Sequence, residues 1–579
     1  MAVAPSAEAN IDRAASPSNI VLRMLEAYPE AETRRRFSFH GRSGVARWSG
    51  GDFRSAMLRH GGHFARRGVR RELVLIFMDQ SIEEIAVFFG VMAAGGIPAF
   101  LPLPSAKQDI NLYWKSHKTL LELIQPRMVV ASRDDIARMQ DAGLDAAVEG
   151  LVWQSLEDLD ATDAAPLTAA DISGGGDEIA FLQHSSGTTG LKKGVMISHA
   201  ALIAQIDDYA AKLGVGPGAR IVSWLPMYHD MGLIACTFLP QLTGSDLALL
   251  DPFEWATEPF MLFDAIRSEK GEFVWLPNFA FEHLVRTVDP ADYTDGLGSV
   301  RAFINCSEPC KAETFERFAA AFADCGVRPE SLQVCYAMAE TVFAASQTAL
   351  GTAPKSIAVD PVALEKDRKV RLVEAGGRRL LSNGPILPGL KAHIVDDDGA
   401  AVAPDGVGEI VLEGAYLFDG YYKRPEITAE RLAEGRYRTR DLGFIHEGEI
   451  YVLGRLDDLI IVHGRNYLAH EIEAVVNAVA GLKPGRNVAF PVENRQLSTD
   501  EVVVVAERDP AVEVENPAQL KTTLRLAVNE AMGLTLRDAL IVDPGWLQKT
   551  TSGKISRGGN RDKYLDHMEE LRAKRRRKA

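Results

Sequence analysis

The chain has 579 residues, 46% of them hydrophobic and 25% charged, with a formal net charge of −15 from 64 Lys+Arg and 79 Asp+Glu. That length allows several packed units and the composition is that of an ordinary soluble globular protein, whereas so acidic a balance argues against general nucleic-acid binding. The cysteines Cys236, Cys306, Cys310, Cys325 and Cys335 form no Cys-x-x-Cys pair, which points to free thiols in a reducing, cytoplasmic compartment and to packing rather than metal ligation.

Met1 to Arg13 contains Glu8 and Asp12 and no apolar segment, so it does not read as a secretory signal. Asn19 to Arg71 reads as helices and short strands. Leu73–Met78 is a buried strand, Ser81-Ile-Glu-Glu84 a capping box that starts a helix, and Ile97–Leu101 a second strand. Together they predict a βαβ unit. Ile85 to Ala106 has no charged side chain and is long enough to span a bilayer, but Gly95-Gly96, Pro98, Pro102 and Pro104 interrupt it, so no membrane span is expected. Val129-Val-Ala131 is a strand candidate. Ala161 to Gly176 is a loop or linker.

Ile179–Gln183 reads as a strand that feeds His184-Ser-Ser-Gly-Thr-Thr-Gly-Leu-Lys-Lys-Gly194, with His199–Leu213 as the following helix. Glycines let backbone N–H groups approach an anion, hydroxyls donate further bonds, and lysines neutralise charge, so the stretch reads as a phosphate cradle. It is not a Walker A loop, because no glycine stands five residues before a Gly-Lys-Ser/Thr step. Strands and helices then alternate to about residue 345. Gln347–Arg379 carries many charges and glycines and weak apolar periodicity, as an insert would. Residues 390 to 455 hold short strands with turns at Asp398-Gly399, Asp405-Gly406 and Glu447-Gly448. A smaller unit follows, with helices at Ala469–Ala478 and Pro517–Met532, the strand Val502–Ala506, and a charged helical tail from Arg557 that ends in Lys574-Arg-Arg-Arg-Lys578.

The order S-S-G-T-T-G-x-x-K-G resembles the phosphate loop of the acyl-adenylate-forming ligases. Further motifs of that superfamily follow in its order: Asn305-Cys-Ser-Glu-Pro309, Tyr336-Ala-Met-Ala-Glu-Thr341, Thr439-Arg-Asp-Leu-Gly443, Gly454-Arg-Leu-Asp-Asp458, His463-Gly-Arg-Asn466 with Glu471-Ile-Glu473, and Thr551-Ser-Gly-Lys-Ile-Ser-Arg557. Each is weak alone; their shared order is not. The resemblance implies an α/β fold with a large multi-subdomain adenylation domain over 1–455, including βαβ sheets and a small β-rich subdomain, and a mobile α+β domain over 456–579, with the insert-like segment at about 347–382.

It also implies roles. Ser185, Ser186, Gly187, Thr188, Thr189, Gly190 and Lys193 would hold the β- and γ-phosphates of ATP. Ser307, Glu308, Pro309, Tyr336, Ala337 and Met338 would line the nucleotide site. Glu340 would bind Mg²⁺, a hard cation suited to carboxylate and phosphate oxygens, and Thr341 would help hold phosphate. Asp441 and Arg455 would bond the ribose hydroxyls. Lys554 would bridge the substrate carboxylate and the α-phosphate, arriving with the small domain as it turns about a hinge at Asp457. Taken singly, Glu340 also reads as a surface or capping acid, Asp441 as a turn residue and Lys554 as an exposed loop lysine.

Trp224-Leu-Pro-Met-Tyr-His-Asp-Met-Gly-Leu233 and Leu276-Pro-Asn-Phe-Ala-Phe281 resemble motifs of the fatty acyl-AMP ligases, which carry an extra block where 347–382 lies. In that subgroup the block goes with loss of CoA use, and the acyl group passes to an acyl carrier protein. His229 would lie near the substrate carboxylate, or be a structural histidine. Trp255, Trp275, Phe279 and Phe281 line an acyl tunnel or belong to the core. The chain departs from the pattern at Lys192 (usually proline), Arg440 (usually glycine), Asp457 (lysine in many of the subgroup) and Leu381-Ser-Asn-Gly384, so the acid itself stays open. The alternatives are an acyl-CoA synthetase, an amino-acid-activating domain with Asp230 as the ammonium partner, and a non-catalytic acyl-adenylate-binding protein.

Overall fold

The computed structural model describes residues 18–578 apart from 105–109, 161–163, 186–191, 308, 463–464, 495–498, 513–516 and 550–554. Two sheets form the centre of the chain's first two-thirds. One has eight strands, in the order Ala344–Gln347, Leu332–Ala337, Ala302–Asn305, Phe273–Leu276, Arg220–Ser223, Asp246–Leu250, Arg35–Gly41 and Gly44–Ser49. Its interior pairs are parallel and both edge pairs antiparallel. The other has four parallel strands, ordered Ile97–Phe100, Leu73–Ile76, Met128–Ala131 and Val152–Ser155.

Strands such as Leu73–Ile76 and Phe273–Leu276 are buried along their whole length, because helices cover both faces of a parallel sheet. The apolar stretch from Ile85 resolves into the helix Ile82–Ala93 and the strand Ile97–Phe100, and no helix among the described residues is long and apolar enough to cross a membrane. Ser81 caps that helix by accepting from Glu84 N at 3.0 Å. The Glu84 side chain is buried, which raises its pKa against the opposing effect of the Ser81 backbone N–H.

The reading of strand, phosphate loop and helix needs correction. Ile179–Ser185 does not pass through the loop into a helix. It pairs antiparallel with a second strand, Lys193–Ser198, and the helix His199–Leu213 begins only after that, capped by Ser198. Val195 and Ile197 are fully buried while Lys193 and Met196 are less so. The short strand follows directly on the loop's glycines and lysines, which hide it in the sequence.

A five-stranded antiparallel sheet follows, built from Leu390–Val395, Gly408–Gly414, Leu432–Ala433, Arg436–His446 and Glu449–Arg455. Downstream lie a two-stranded pair, Leu459–Val462 with Arg465–Leu468, and a three-stranded sheet of Leu482–Asn494, Thr499–Arg508 and Asp538–Val542. The helices Ala469–Asn477 and Pro517–Met532 pack there around a core that includes Ile472, Val476, Val504, Leu524 and Val528, separate from the large core of the preceding sheets.

The insert-like segment has structure of its own. Ser356–Val359 pairs with Arg378–Leu381, and the helix Pro361–Lys366 lies between them. Val359, Leu364 and Leu380 share one apolar cluster with Leu442, Leu453 and Leu468. The Arg378 guanidinium forms an ion pair with Glu471. A cavity of about 40 Å³ lies at this junction, lined in part by Leu364, Arg378, Leu459 and Leu468.

Candidate active site

Three sequence motifs, Tyr336–Thr341, Thr439–Gly443 and Gly454–Asp458, converge beside the strand pair that flanks the glycine-rich loop. Ser186, Gly187, Thr188, Thr189 and Gly190 lie outside the described residues; Ser185 and Lys193 face each other in strand register at the loop's two ends. The next strand neighbour is the segment Asp419–Tyr422: Tyr422 N donates to Gly194 O at 2.8 Å and Met196 N to Gly420 O at 3.0 Å. This pairing places the Lys193 amine 5.2 Å from the centre of the Tyr421 ring. Burial, followed by the charge of Arg431, lowers the Lys193 pKa, against the opposing pull of Glu340.

Glu340 stands at the tip of a closed loop. Met338 N donates to Phe343 O at 2.9 Å, and Phe343 N donates to Thr341 O at 2.7 Å across Val342. Val342 has φ 63° and ψ −55°, the strained form of the γ-turn, which costs about 1–3 kcal/mol. Such a turn after Glu340-Thr341 reverses the chain in the fewest residues and leaves the Glu340 carboxylate to accept from Tyr421 Oη at 2.7 Å. The Thr341 hydroxyl is fully buried and donates to backbone, within 3.2 Å of Met338 O and 2.9 Å of Phe343 O. In this arrangement it stabilises the turn.

Asp441 and Arg455 occupy facing positions on adjacent strands. Asp441 Oδ1 lies 3.2 Å from Arg455 Nε, and Asp441 Oδ2 accepts from Tyr336 Oη at 2.6 Å. Burial raises the Asp441 pKa, opposed by Arg455 and by the Tyr336 bond, while Asp441 in turn raises that of Arg455. Thr439 holds the bend, its Oγ1 accepting from Asp441 N at 2.9 Å and donating to Ile410 O at 2.7 Å. Arg440 takes the left-handed conformation, φ 62°, at the position where the motif has glycine. Its guanidinium bonds Asp457 Oδ1 through Nη2 at 2.9 Å and Nε at 3.3 Å.

Of the two motifs that resemble those of the fatty acyl-AMP ligases, Leu276–Phe281 meets the Asn305–Pro309 stretch of the nucleotide-site reading. Asn305 Nδ2 donates to Asn278 Oδ1 at 2.9 Å, joining the Leu276–Phe281 and Asn305–Pro309 stretches. Ser307 lies beside that junction with φ 71°, Pro309 is exposed, and Glu308 lies outside the described residues. Met231–Phe238 winds as a π-helix, a form concentrated at functional sites. A Cβ on Gly232 would come within 2.3 Å of Pro226 O, so only glycine lets the helix approach that carbonyl. His229 lies half-buried in the same turn, its ring 5.1 Å from that of Tyr228.

Trp224 and Trp255 stack face to face at 3.6 Å with an interplanar angle of 7°, and the exposed Phe279 ring stands edge-on to both. Trp275 and Phe281 are core: the Trp275 indole donates to Tyr209 Oη at 2.9 Å, and Phe281 packs on Phe315 and Phe318. Lys192, at the usual proline position, has its amine 6.0 Å from the Tyr228 ring, and burial lowers its pKa to about 7.

Lys554 lies outside the described residues. Its neighbours are placed: Lys549 bridges Ile555, and Ser556 N donates to Gln548 O at 3.0 Å. Arg557 reaches Asp458 Oδ1 at 2.9 Å and also pairs with Glu473 and with Ala489 O. Three sequence motifs of the smaller unit are thereby tied to one guanidinium.

A family model for AMP-binding enzymes matches residues 26–422. The chain belongs to the AMP-binding enzyme family. It is 32% identical over 523 residues to the Mycobacterium leprae protein that carries the name fatty-acid–CoA ligase fadD21, covering 86% of this chain and 89% of that one. It is 29% identical over 524 residues to the long-chain-fatty-acid–AMP ligase FadD26 of Mycobacterium marinum, covering 86% and 88%. A solved structure from work on the fatty acyl-adenylate ligases of E. coli and L. pneumophila superposes with a TM-score of 0.85 at 24% identity, over 96% of this chain and 98% of that one, so the two share a fold.

Within this family member, three contributors to the cluster escape the sequence reading. Tyr421, Tyr437 and Arg431 stand in no motif named above, yet Tyr421 holds Glu340 and the Tyr437 ring packs on Phe418 beside it. The Gly420-Tyr-Tyr422 stretch has no chemical signature of its own. Only its strand pairing with Gly194–Met196 gives it a place at the site.

Proposed function

We propose that this protein activates a carboxylic acid, a fatty acid by the measure of its relatives, as the acyl-adenylate, and then passes the acyl group to the phosphopantetheine thiol of an acyl carrier protein. The observation that carries the reading is the meeting of Lys193, Glu340, Tyr336, Asp441 and Arg455 in one cluster. A carboxylate oxygen attacks the α-phosphorus of ATP, the bond to the bridging oxygen breaks, and pyrophosphate leaves with that electron pair. Both reactants are anions, so the site must supply fixed cations and donors where charge develops. Lys193 and residues 185–190 would take the β- and γ-phosphates, Asp441 and Arg455 the ribose hydroxyls, and Lys554 the reacting carboxylate and α-phosphate. Ser307, Glu308, Pro309, Ala337 and Met338 would flank the base.

Among the described residues no three His, Cys, Asp or Glu side chains gather to form an all-protein metal cage. A single carboxylate at Glu340 suits Mg²⁺, which typically binds one or two carboxylates plus substrate phosphates. When bound there, the ion would neutralise charge on the leaving pyrophosphate. Residues 1–455 would act as the adenylation domain and 456–579 as the mobile one.

The carrier protein as acceptor follows the relative named as an AMP ligase, and the insert packs on the smaller unit. Leu364 and Arg378 meet Leu468 and Glu471 of the smaller unit, so reorientation of that unit must first break an apolar contact and an ion pair. Pyrophosphate exchange with a panel of acids tests the first step, with acid-dependent exchange expected. Offering CoA or a holo carrier protein after adenylation tests the second. Efficient acyl-CoA formation with no carrier loading would overturn the acceptor.

A further inference from the structure

The helix Pro425–Arg431 lies against the strand partner of the phosphate loop. Thr428 Oγ1 accepts from Tyr421 N at 2.9 Å and donates to Arg424 O at 2.9 Å, which pins the helix to the residue that holds Glu340. The last residue of that helix, Arg431, is followed by Leu432, which pairs with Tyr437 beside Tyr421. Its side chain is 16% exposed. The Nε is buried and makes no hydrogen bond among the described residues. The carboxylate oxygens near it are poorly placed. Glu430 Oε1, on a solvent-facing neighbour, is 3.4 Å from Nε, and Asp457 Oδ2 is 3.9 Å from Nη2. Asp457 already binds Arg440 through its other oxygen.

A buried guanidinium ordinarily has its fork filled by carboxylate, carbonyl or phosphate. This one is underused at Nε, and the charges that act on Lys193 include Arg431 and Arg424 against Glu340 and Glu430. The charge of Arg431 is the largest electrostatic contribution depressing the Lys193 pKa. Two cations so arranged repel until an anion comes between them. We propose that Arg431 is a polyphosphate-binding residue, which takes oxygens of the β- and γ-phosphates of ATP, and of pyrophosphate after the reaction, opposite Lys193. The inference deepens the proposed adenylation chemistry and rests on it for the identity of the substrate. The binding of a polyphosphate can be measured without it.

The test uses the full-length protein and the variants Arg431→Gln and Arg431→Lys, with magnesium ATP and magnesium pyrophosphate titrated separately by calorimetry. Arg431→Gln is expected to weaken both ligands by roughly tenfold or more, the worth of a charged hydrogen bond, and Arg431→Lys to recover part of the loss. In exchange assays the KM for pyrophosphate should rise while the KM for the acid stays unchanged, a split that a merely structural role would not give. Loss of ATP affinity with pyrophosphate unaffected would place Arg431 on the nucleotide alone and overturn the proposal. Unchanged affinity for both ligands, or no polyphosphate binding by the wild type, also overturns it. Should Arg431→Gln unfold, Arg431→Lys decides, because it keeps stem and charge but lacks the fork: weaker pyrophosphate binding supports the proposal and equal binding refutes it. If no acid supports exchange but the affinity changes appear, adenylation fails and the role of Arg431 stands.

Discussion

At the scale of single residues, buried charge decides what the site does. Asp441 is held among Tyr336, Thr439 and Arg455 with little water, so burial raises its pKa above the usual 3.8 despite the arginine. The ionised form is the one that accepts from Arg455 and would accept from ribose. The sign follows: as pH falls, Asp441 is protonated earlier than an ordinary aspartate, and the KM for ATP should rise from that point. Asp441→Asn should raise the KM roughly tenfold or more at neutral pH and remove that pH dependence. Initial rates of pyrophosphate exchange against pH read both. Arg440 poses a different balance. A side chain at φ 62° costs about 1–2 kcal/mol, whereas its half-exposed pair with Asp457 contributes about 0–1 kcal/mol. Arg440→Gly is therefore expected to leave the melting temperature unchanged or raise it by a few degrees, as thermal unfolding would show. A clear drop would mean that the Asp457 pair outweighs the strain.

At the scale of elements, strand pairing does what no motif does alone. Two antiparallel strands flank the glycine-rich stretch, and the second of them recruits Tyr421. The insert acts likewise through its helix Pro361–Lys366, whose Leu364 is 5% exposed in the cluster with Leu468. Leu364→Asp would bury a carboxylate in that cluster, which costs more than letting the contact open. The variant should show faster proteolysis near residues 456–459 while still forming adenylate. Equal proteolysis in both proteins would remove the insert from any role in holding the smaller unit. Arg557 gives an element-scale prediction too. Glu473 is partly buried, accepts from Ala489 N at 2.9 Å and faces Arg557. Arg557→Ala leaves that carboxylate with only its bond from Ala489 N, and a loss of about 1–3 kcal/mol is expected in the smaller unit's unfolding transition, read by denaturant titration.

At the scale of the whole molecule, three histidines tie stability to pH. Burial lowers the pKa of His117 and His184 to about 3 and that of His199 to about 4. His199 Nδ1 must stay unprotonated to accept from Ile20 N at 3.2 Å. These groups are neutral when folded and titrate near 6.5 when unfolded. The unfolded state therefore binds more protons between the two values, and stability falls as pH drops through 6.5 toward 4. Each contributes at most about 1.4 kcal/mol per pH unit. Calorimetric unfolding at pH 5 should show uptake of close to three protons from these sites, and replacing His117 with a neutral isostere should reduce it.

Much of this molecule was legible in the sequence. Apolar runs of four to six residues marked the parallel strands, caps and glycines bounded helices such as His199–Leu213, and motif order led to the family, because these signals are local and each residue carries its own. The strand Lys193–Ser198 was not legible, since it is short, has no clear alternation and follows a run of glycines and lysines. Nor was it legible that Trp224, Trp255, Trp275 and Phe281 all lie in the core while Phe279 is exposed. Which cations surround Glu340, which tyrosine holds it and what Arg440 binds were decided by tertiary structure alone. The physical reason is distance along the chain: electrostatics and packing act between atoms a few ångströms apart, and Lys193, Glu340, Arg431 and Asp441 become neighbours only when the sheets that carry them assemble.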